Sequence, residues 1–488
     1  MSPEIHGGNM TTNDRTGIQV PAVPFHQLYF TRRQRQRPYQ RQLIRCVTTC
    51  IPRRFRGRRR FRTNCYYCAI CVLLLFSFGH RTRMELYIPV TTLESGLLPV
   101  PSLKRILFFN KFWNQSDYFF GSGQSPFQSH ACPETRCYTS TDHGEGPNSY
   151  DAIVIHGVNF VLDRSTFEYI SSWRQQSQHV VFFMMESPEY NVHAYDSPIY
   201  NNFFNWTMTY REDSDVVRRY GWFEDKNGGM VQDWNSPDLH HFISTILPAK
   251  DAAFHALATR PNSIAWIVSH CLTSSHREIL VKELQNHFNV SIFGKCGPLP
   301  CKDNRDNNNC TSHIHDNFKF YLALENSFAK DYVTEKFFFR MAQLETIPIV
   351  LGQANYSRIA PPHSYINALD YDTIDEFVGY LNEVASNHSL YLSYFWWKDH
   401  YKVRGTRQDY AQSFCELCVK LWNKSDKSYP DFDQWWRHES NVNAAIPKFE
   451  QLLGNNVSLL LVEEEEKKRI FQQHPHKTKL RMKFRDVK

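Results

Sequence analysis

Short runs of consecutive apolar residues recur along the chain, separated by polar loops and by stretches with helical spacing such as residues 276–287. Continuous apolar runs bounded by turns are typical of parallel strands that are covered on both faces. The runs occupy residues 106–109, 152–155, 180–185 and 206–210 in one half, and 264–268, 290–293, 320–324 and 347–351 in the other. The pattern predicts an α/β protein with two halves, joined near residues 222–257, which are rich in Gly, Asn, Asp and His.

The first 64 residues differ from the rest in charge. They contain 14 of the 56 Lys and Arg residues but only two of the 49 acids, so the remainder is slightly acidic. The apolar segment 65–79 follows; it is shorter than the roughly 17–25 residues of a typical span, but flanking arginines can snorkel. We predict a cytosolic basic tail (1–64), a transmembrane signal-anchor (65–79) and a stem (80–102). A nucleic-acid-binding arm is the alternative interpretation of the arginines.

Two counts place the body in an oxidising, glycosylating lumen. The candidate N-glycosylation sequons begin at Asn114, Asn205, Asn289, Asn309, Asn355, Asn387, Asn423 and Asn456. The cysteines of the body are Cys132, Cys137, Cys271, Cys296, Cys301, Cys310, Cys415 and Cys418. An even number of cysteines in this compartment predicts disulfides. Zinc is the other interpretation of the CxxC pair at 415–418, but no second ligand pair lies at finger spacing.

The segment 320–336, FYLALENSFAKDYVTEK, carries the strongest chemical signal of the chain. It predicts a strand, a polar loop and a helix start, with Thr334 as the N-cap and Glu335 and Lys336 in the first turn. Open α/β sheets bind ligands at this junction, and helix N-termini attract anions. Together with Tyr321, these residues predict a site for a charged sugar–phosphate donor.

The same segment resembles the donor-binding signature of the α1,3/4-fucosyltransferases, glycosyltransferase family 10, with Leu324 where the family usually has Phe. The resemblance implies donor-binding roles for Tyr321, Glu325, Asn326, Glu335 and Lys336. In an isolated helix, Glu335 would only match the helix dipole and Lys336 would only be solvated.

A second segment, residues 265–277, also predicts a strand, a polar loop and a helix start. It resembles the family's V-S-N-C segment, followed by an arginine that reaches the diphosphate, with His270 where Asn is usual. The resemblance places Ser269 and His270 in the pocket and makes Arg277 a second cation, whose fork can bridge two phosphate oxygens. A surface position on the helix is the alternative for Arg277.

Glu186 follows the apolar run 180–185 and precedes Pro188, which prevents the predicted strand from continuing. A carboxylate in apolar surroundings holds its proton more tightly, which suits a general base near neutral pH. The segment resembles the family's Glu-Ser-Pro motif, whose Glu is the catalytic base, and Glu189 is the nearby rival. A direct displacement that inverts the anomeric carbon needs one base and cations at the leaving diphosphate.

Residues 203–215 resemble a third family block, in which Arg211 is a candidate cleft residue. Asp213 and Asp215 have the DxD spacing of a metal motif, but two carboxylates without further ligands are weak evidence for a metal. We therefore expect a structural role for both, no essential divalent metal and no tightly bound cofactor. The aromatic segment 391–398 resembles another family segment and is expected in the core.

The resemblance covers about residues 103–430 and implies a glycosyltransferase-B fold, with two doubly wound Rossmann-like domains facing across a cleft. We expect an acceptor-side domain at 103–245, a GDP-fucose-binding domain at 246–456 and a charged tail at 457–488. The implied activity is inverting transfer of L-fucose from GDP-β-L-fucose, in α1,3 linkage, to GlcNAc of glycoprotein or glycolipid glycans.

The implied setting is the Golgi membrane, with a type II topology and a lumenal catalytic body. GDP-fucose and GlcNAc-containing glycans are the expected partners, a homodimer is one option, and no nucleic acid partner is expected. An inactive lumenal protein that binds sugar nucleotides or glycans is the alternative. The sequence leaves open whether the acceptor is the core GlcNAc of an N-glycan or an antennary Lewis-type GlcNAc.

Overall fold

The computed structural model describes residues 102–144, 146–160, 164–191, 195–231, 234, 256–301, 309–405, 407–423 and 425–454. The predicted basic tail, signal-anchor and charged tail, the sequon at Asn456, all but the last residue of the stem and most of the proposed junction at 222–257 lie outside these ranges. Among the residues described, no helix is both long and apolar enough to cross a bilayer.

The first sheet has six strands in the described part of the chain, all parallel, in the order β2-β1-β3-β4-β5-β6. Its strands are β1 (Lys104–Phe108), β2 (Cys137–Ser140), β3 (Ala152–His156), β4 (His179–Met184), β5 (Trp206–Thr209) and β6 (Val216–Val217). The described helices near it in sequence are α1 (Ser125–Ser129) and α2 (Arg164–Trp173).

The second sheet is also parallel, and its five described strands have the order β12-β11-β10-β8-β9. The strands are β8 (Ser263–Ile267), β9 (Asn289–Phe293), β10 (Phe320–Leu324), β11 (Ile347–Leu351) and β12 (Ile366–Asn367). An antiparallel pair joins β7 (Trp222–Glu224) to β13 (Lys402–Arg404). The remaining described helices are α3 (Arg277–Leu284), α4 (Asn309–Asn317), α5 (Phe338–Gln343), α6 (Tyr356–Ile359), α7 (Ile374–Ser386), α8 (His388–Ser393), α9 (Ala411–Trp422) and α10 (Ile446–Leu453).

The two parallel sheets confirm the α/β prediction, and each predicted apolar run contains a strand. Burial explains why apolar and polar residues do not alternate along these runs. Every residue of β3, β5, β10 and β11 is buried, so both faces of these strands are covered. The predicted helix at 276–287 is present as α3.

The helix predicted to open at Thr334 begins later, at Phe338, and α5 has six residues. The Thr334 hydroxyl donates to Glu325, and its oxygen accepts a long hydrogen bond from Lys336 N at 3.4 Å. Residues 334–337 form a turn in which Phe337 N donates to Thr334 O at 3.1 Å. Phe337 occupies the N-cap position that was predicted for Thr334. Glu325 accepts hydrogen bonds from the amide and the hydroxyl of Thr334, and it holds Thr334 in the turn ahead of the helix.

Helix α9 packs on the first sheet although it follows the second sheet in sequence. Phe414 of α9 contacts Phe108 of β1, with ring centroids 5.4 Å apart. Disulfides Cys132–Cys415 and Cys137–Cys418 tie α9 to the segments around β2. The predicted disulfides are confirmed, with Cys271–Cys296 and Cys301–Cys310 as the other two pairs. Helix α9 lies within residues 246–456, which were expected to form the second domain, yet it packs on the sheet of the first half.

Candidate active site

A cavity of about 230 Å³ lies where the carboxyl ends of β4, β8 and β10 meet the turn before α5. This is the edge at which parallel α/β sheets bind ligands. We call it the donor cavity, and its lining residues are Glu186, Tyr220, Ile267, Val268, Ser269, His270, Arg277, Tyr321, Asn326, Tyr332, Glu335, Lys336 and Arg340. The cavity brings together eight of the predicted site residues from three separate segments of the chain.

Glu186 lies two residues past the end of β4 and lines the donor cavity. The hydroxyl of Tyr332, from the second half, donates a hydrogen bond to Glu186 Oε2 at 3.1 Å. Tyr220 donates to the carbonyl of Met185 at 2.6 Å, which fixes the backbone next to the carboxylate. Burial raises the pKa of Glu186, and the nearby Lys336 opposes that shift only in part. A carboxylate with a raised pKa and a fixed orientation is suited to accept a proton.

Lys336 projects into the donor cavity from the turn before α5, and its side chain is about one-fifth exposed. Its Nζ donates to Thr334 Oγ1 at 2.8 Å and pairs with Glu325 at 3.1 Å and Glu335 at 3.5 Å. Burial alone would lower the pKa of Lys336, but these two carboxylates outweigh it, and the pKa is raised. The lysine is therefore a fixed positive charge on the cavity wall.

Glu325 lies behind the cavity wall, although the resemblance implied that it contacts the donor. Its side chain has no exposed surface, and it is absent from the lining of the donor cavity. It accepts hydrogen bonds from Thr334 N at 2.8 Å, from the Thr334 hydroxyl and from Lys336 Nζ. Glu325 thus shapes the turn that presents Lys336, and the structure gives it a supporting position.

Arg277 enters the cavity from the first residue of α3, and the whole residue is only 3% exposed. Its Nη1 donates to Leu324 O at 2.5 Å and its Nη2 donates to His270 O at 3.2 Å. Nε is buried and has no hydrogen-bond partner among the described residues. Two backbone carbonyls therefore hold the guanidinium at the cavity. One of them belongs to Leu324, which is 47 residues from Arg277 in the sequence.

Besides the apolar strand residues Ile267 and Val268, three polar residues of the cavity wall were not predicted as site residues. Tyr220 follows the last strand of the first sheet, where no charged motif marked it. Tyr332 was part of the quoted signature but had no assigned role. Arg340 lies four residues after Lys336, a spacing that puts two side chains on one face of a helical stretch, and it donates a hydrogen bond to Tyr321.

Arg211 lies away from the donor cavity defined by the described residues. Its side chain is fully buried, forms an ion pair with Asp213 at 2.6 Å and donates to Ser440 Oγ at 3.0 Å. Lys330 also pairs with Asp213, at 3.0 Å, and so links the second half to the first. Asp215 accepts hydrogen bonds from Thr207 N and the Tyr429 hydroxyl. These contacts give the DxD aspartates structural roles, and the cleft position suggested for Arg211 is not observed.

No group of three or more metal-ligating side chains occurs in the part of the chain that the structure describes. The predicted sequons differ in accessibility. The Asn205 side chain accepts from Val180 N at 2.9 Å and donates to Lys427 O at 3.0 Å, so its amide takes part in the packing of the fold. Exposed sequon residues are Asn114, Asn289, Asn355, Asn387 and Asn423. The Asn387 side chain caps α8, and the side chain of Asn309 lies outside the described part.

Two family models match the chain. The model described as "Glycosyltransferase family 10 (fucosyltransferase) C-term" matches residues 257–435, and "Fucosyltransferase, N-terminal" matches residues 101–221. The first match contains Arg277 and Lys336, and the second contains Glu186. The two models thus divide the donor cavity between them.

Curated relatives match most of the body. Alpha-(1,3)-fucosyltransferase C of Drosophila melanogaster is 34% identical over 365 residues, covering 71% of this chain and 81% of that protein. Alpha-(1,3)-fucosyltransferase fut-1 of Caenorhabditis elegans is 28% identical, over 71% of this chain and 72% of that protein. The human 4-galactosyl-N-acetylglucosaminide 3-alpha-L-fucosyltransferase FUT6 is 30% identical, over 59% of this chain and 72% of that protein.

A solved structure of an alpha1,3-fucosyltransferase with GDP-fucose aligns with 67% of this chain and 92% of that one. Its TM-score is 0.38 at 16% identity, a likeness too weak to add to the sequence matches.

Proposed function

Because the chain belongs to glycosyltransferase family 10, the fucosyltransferases, we propose that it transfers L-fucose from GDP-β-L-fucose, in α1,3 linkage, to GlcNAc of glycoprotein or glycolipid glycans. One observation carries the proposal beyond family membership. The donor cavity holds a carboxylate of raised pKa, Glu186, together with two cations, Lys336 and Arg277. An inverting transfer to a sugar hydroxyl needs this set of groups.

The two cations are proposed to bind the diphosphate of GDP-fucose. Lys336 supplies a point charge, and the guanidinium of Arg277 can contact two phosphate oxygens. Helix α5 has only six residues, so the side-chain charges and not a helix dipole attract the anion. Tyr321, Asn326 and Glu335 offer hydroxyl, amide and carboxylate groups for the nucleoside and the fucose. Ser269 and His270 line the same wall.

The proposed reaction is one displacement at the anomeric carbon. Glu186 accepts the proton of the acceptor hydroxyl while the hydroxyl oxygen forms a bond to the anomeric carbon of fucose. The bond from that carbon to the β-phosphate oxygen breaks, and GDP leaves with both electrons of the bond. Lys336 and Arg277 stabilise the charge that develops on the leaving diphosphate. This scheme assigns no essential step to a divalent metal or a tightly bound cofactor.

The proposed setting is a Golgi type II membrane protein with a lumenal body. The arginine-rich residues 1–64 before the apolar segment 65–79 support this orientation. The four disulfides within the body support an oxidising compartment. A homodimer remains a prediction from the sequence. The inactive binding protein considered above is not supported, because the base and both cations line one cavity.

The proposal is tested by incubating the purified protein with GDP-fucose and a panel of glycans. The panel includes N-glycan cores, N-acetyllactosamine and lacto-N-biose, so that core and antennary GlcNAc acceptors are compared directly. We expect fucose on at least one GlcNAc-terminated or lactosamine acceptor, with NMR of the product showing an α1,3 linkage. If no glycan of the panel receives fucose, or if the product has a linkage other than α1,3, the proposal is contradicted.

A further inference from the structure

Two large aromatic side chains are exposed beside the catalytic carboxylate. Trp113 is 42% exposed and Tyr190 is 40% exposed. Their ring centroids are 6.1 Å apart and their planes are nearly perpendicular, at 87°. Single exposed aromatics are common on protein surfaces, whereas an adjoining pair creates a continuous apolar surface. We call this pair the aromatic platform.

The topology of the first sheet puts the platform at the active-site edge. Trp113 lies in the loop after β1, and Tyr190 lies in the short 3-10 turn Pro188–Asn191 after β4. Strand β3 lies between β1 and β4 in the sheet, and its last residue, His156, contacts the Trp113 ring at 6.0 Å. The platform thus occupies the carboxyl ends of three adjacent parallel strands, where ligands of such sheets bind.

Tyr190 follows Glu186 by four residues, and both lie just past the carboxyl end of β4. Burial raises the pKa of Tyr190, and the negative charge of Glu186 raises it further. Neither aromatic ring lines the donor cavity as the described residues define it. Glu186 therefore lines the donor cavity, while Tyr190 of the aromatic platform follows it in the chain and lies outside that cavity.

The loop that presents Trp113 is held by specific contacts. Asn110 Nδ2 donates to His156 O at 2.8 Å, and Asn110 Oδ1 accepts from His156 N at 2.7 Å. His156 Nδ1 donates to Lys111 O at 3.0 Å. Within this fixed loop Trp113 has a φ of 54°, in the left-handed region that is unfavourable for a bulky residue. Backbone strain of this kind concentrates at functional sites.

We propose that Trp113 and Tyr190 bind a sugar ring of the acceptor glycan by stacking, and that they help to select the acceptor. The proposal rests on the proposed function, because it assumes that Glu186 accepts a proton from a glycan hydroxyl. That hydroxyl must reach both Glu186 and the anomeric carbon of the donor, so the acceptor must approach Glu186 from outside the donor cavity. The C–H face of a pyranose is apolar and packs well against an aromatic ring, while its hydroxyls stay in water.

The test compares steady-state kinetics of the variants Trp113→Ala, Trp113→Phe and Tyr190→Ala with the unmodified protein. We expect each alanine variant to raise the KM for N-acetyllactosamine, or for the best acceptor of the panel, about tenfold. Trp113→Phe retains a stacking surface and is expected to stay within about threefold. The KM for GDP-fucose and the hydrolysis of GDP-fucose without acceptor should not change. All three substitutions leave the sequon at Asn114 intact.

Tyr169→Ala is the matched control, because Tyr169 is 53% exposed on helix α2 and contacts Trp173 of the same helix. This variant should leave both KM values unchanged. An unchanged acceptor KM in both Trp113→Ala and Tyr190→Ala, or an equal rise in the KM for GDP-fucose, would overturn the proposal.

A direct binding measurement separates this proposal from the proposed function. Saturation-transfer NMR with N-acetyllactosamine in the presence of GDP detects acceptor binding without turnover. If the unmodified protein transfers no fucose, the proposed function fails, and the platform is judged by this measurement alone. Binding that is lost in Trp113→Ala and kept in Tyr169→Ala would support the platform. Equal binding by both variants, or no binding by the unmodified protein, would refute it.

Discussion

The substitution Glu325→Gln tests whether a buried carboxylate organises the turn that presents Lys336. Glu325 has no exposed surface, and its carboxylate accepts hydrogen bonds from the amide and hydroxyl of Thr334 and from Lys336 Nζ. Glutamine has the same shape and keeps one acceptor oxygen for Thr334. Its NH2 group, which takes the place of the oxygen bonded to Lys336, cannot accept a hydrogen bond from the lysine, and the negative charge of Glu325 is lost.

The expected loss of stability follows from the burial of Glu325 and Lys336. Removing one member of a buried ion pair destabilises a protein by about 3–5 kcal/mol, because the other charge is left uncompensated. The Lys336 side chain is 21% exposed and can be partly hydrated, and glutamine still accepts from Thr334. We therefore expect the free energy of unfolding to fall by about 2–3 kcal/mol. The KM for GDP-fucose should rise about tenfold, because Lys336 loses the group that fixes its position.

Urea titration and steady-state kinetics measure the two effects. Glu168→Gln is the control, since Glu168 pairs with Arg164 at a similar distance of 2.9 Å but the two side chains are 63% and 89% exposed. An exposed i,i+4 pair contributes about 0.3–0.5 kcal/mol. The role assigned to Glu325 is refuted if Glu325→Gln lowers the free energy of unfolding no more than Glu168→Gln does. An unchanged KM for GDP-fucose would refute it as well.

Three further variants test other parts of the site and fold. Arg277→Lys keeps the charge but loses the planar fork that can contact two phosphate oxygens, so the KM for GDP-fucose should rise about tenfold in steady-state kinetics; an unchanged KM would contradict diphosphate binding by Arg277. Tyr332→Phe removes a hydrogen bond that favours the ionised form of Glu186, so the pKa of Glu186 should rise and the acidic limb of the kcat profile should move to higher pH. A limb that stays in place would show that this bond does not tune the base. Replacing Cys132 and Cys415 by serine should lower the free energy of unfolding by about 2–5 kcal/mol in urea, and an unchanged value would make this disulfide redundant.

The sequence predicted the strands well because their signal is local. Residues 320–324 and 347–351 are apolar throughout, and the structure buries both faces of these strands. The position of the cavity also followed from the sequence, since ligands bind at the carboxyl ends of parallel strands. Glu186, Arg277 and Lys336 each follow or adjoin such an end, and all three line the donor cavity.

The errors arose where a distant group decides the local structure. Thr334 is a good N-cap by residue type, but Glu325 holds its amide and hydroxyl in the turn ahead of the helix, which begins at Phe338. Glu325 itself resembled a donor contact, and only the fold shows that it lies behind the wall. The packing of α9 on the first sheet depends on contacts across more than 280 residues, including the Cys132–Cys415 disulfide. Neither periodicity nor spacing reports such contacts.

The central claim is that Glu186 is the base of a fucosyl transfer whose donor is held by Lys336 and Arg277. The most direct test is the kcat of Glu186→Gln, measured with GDP-fucose and the best acceptor of the panel. Removing a general base is expected to lower kcat by about 10²–10⁴-fold, while the KM for GDP-fucose stays close to that of the unmodified protein. A variant that retains more than about a tenth of the original kcat would contradict the assignment of Glu186 as the base.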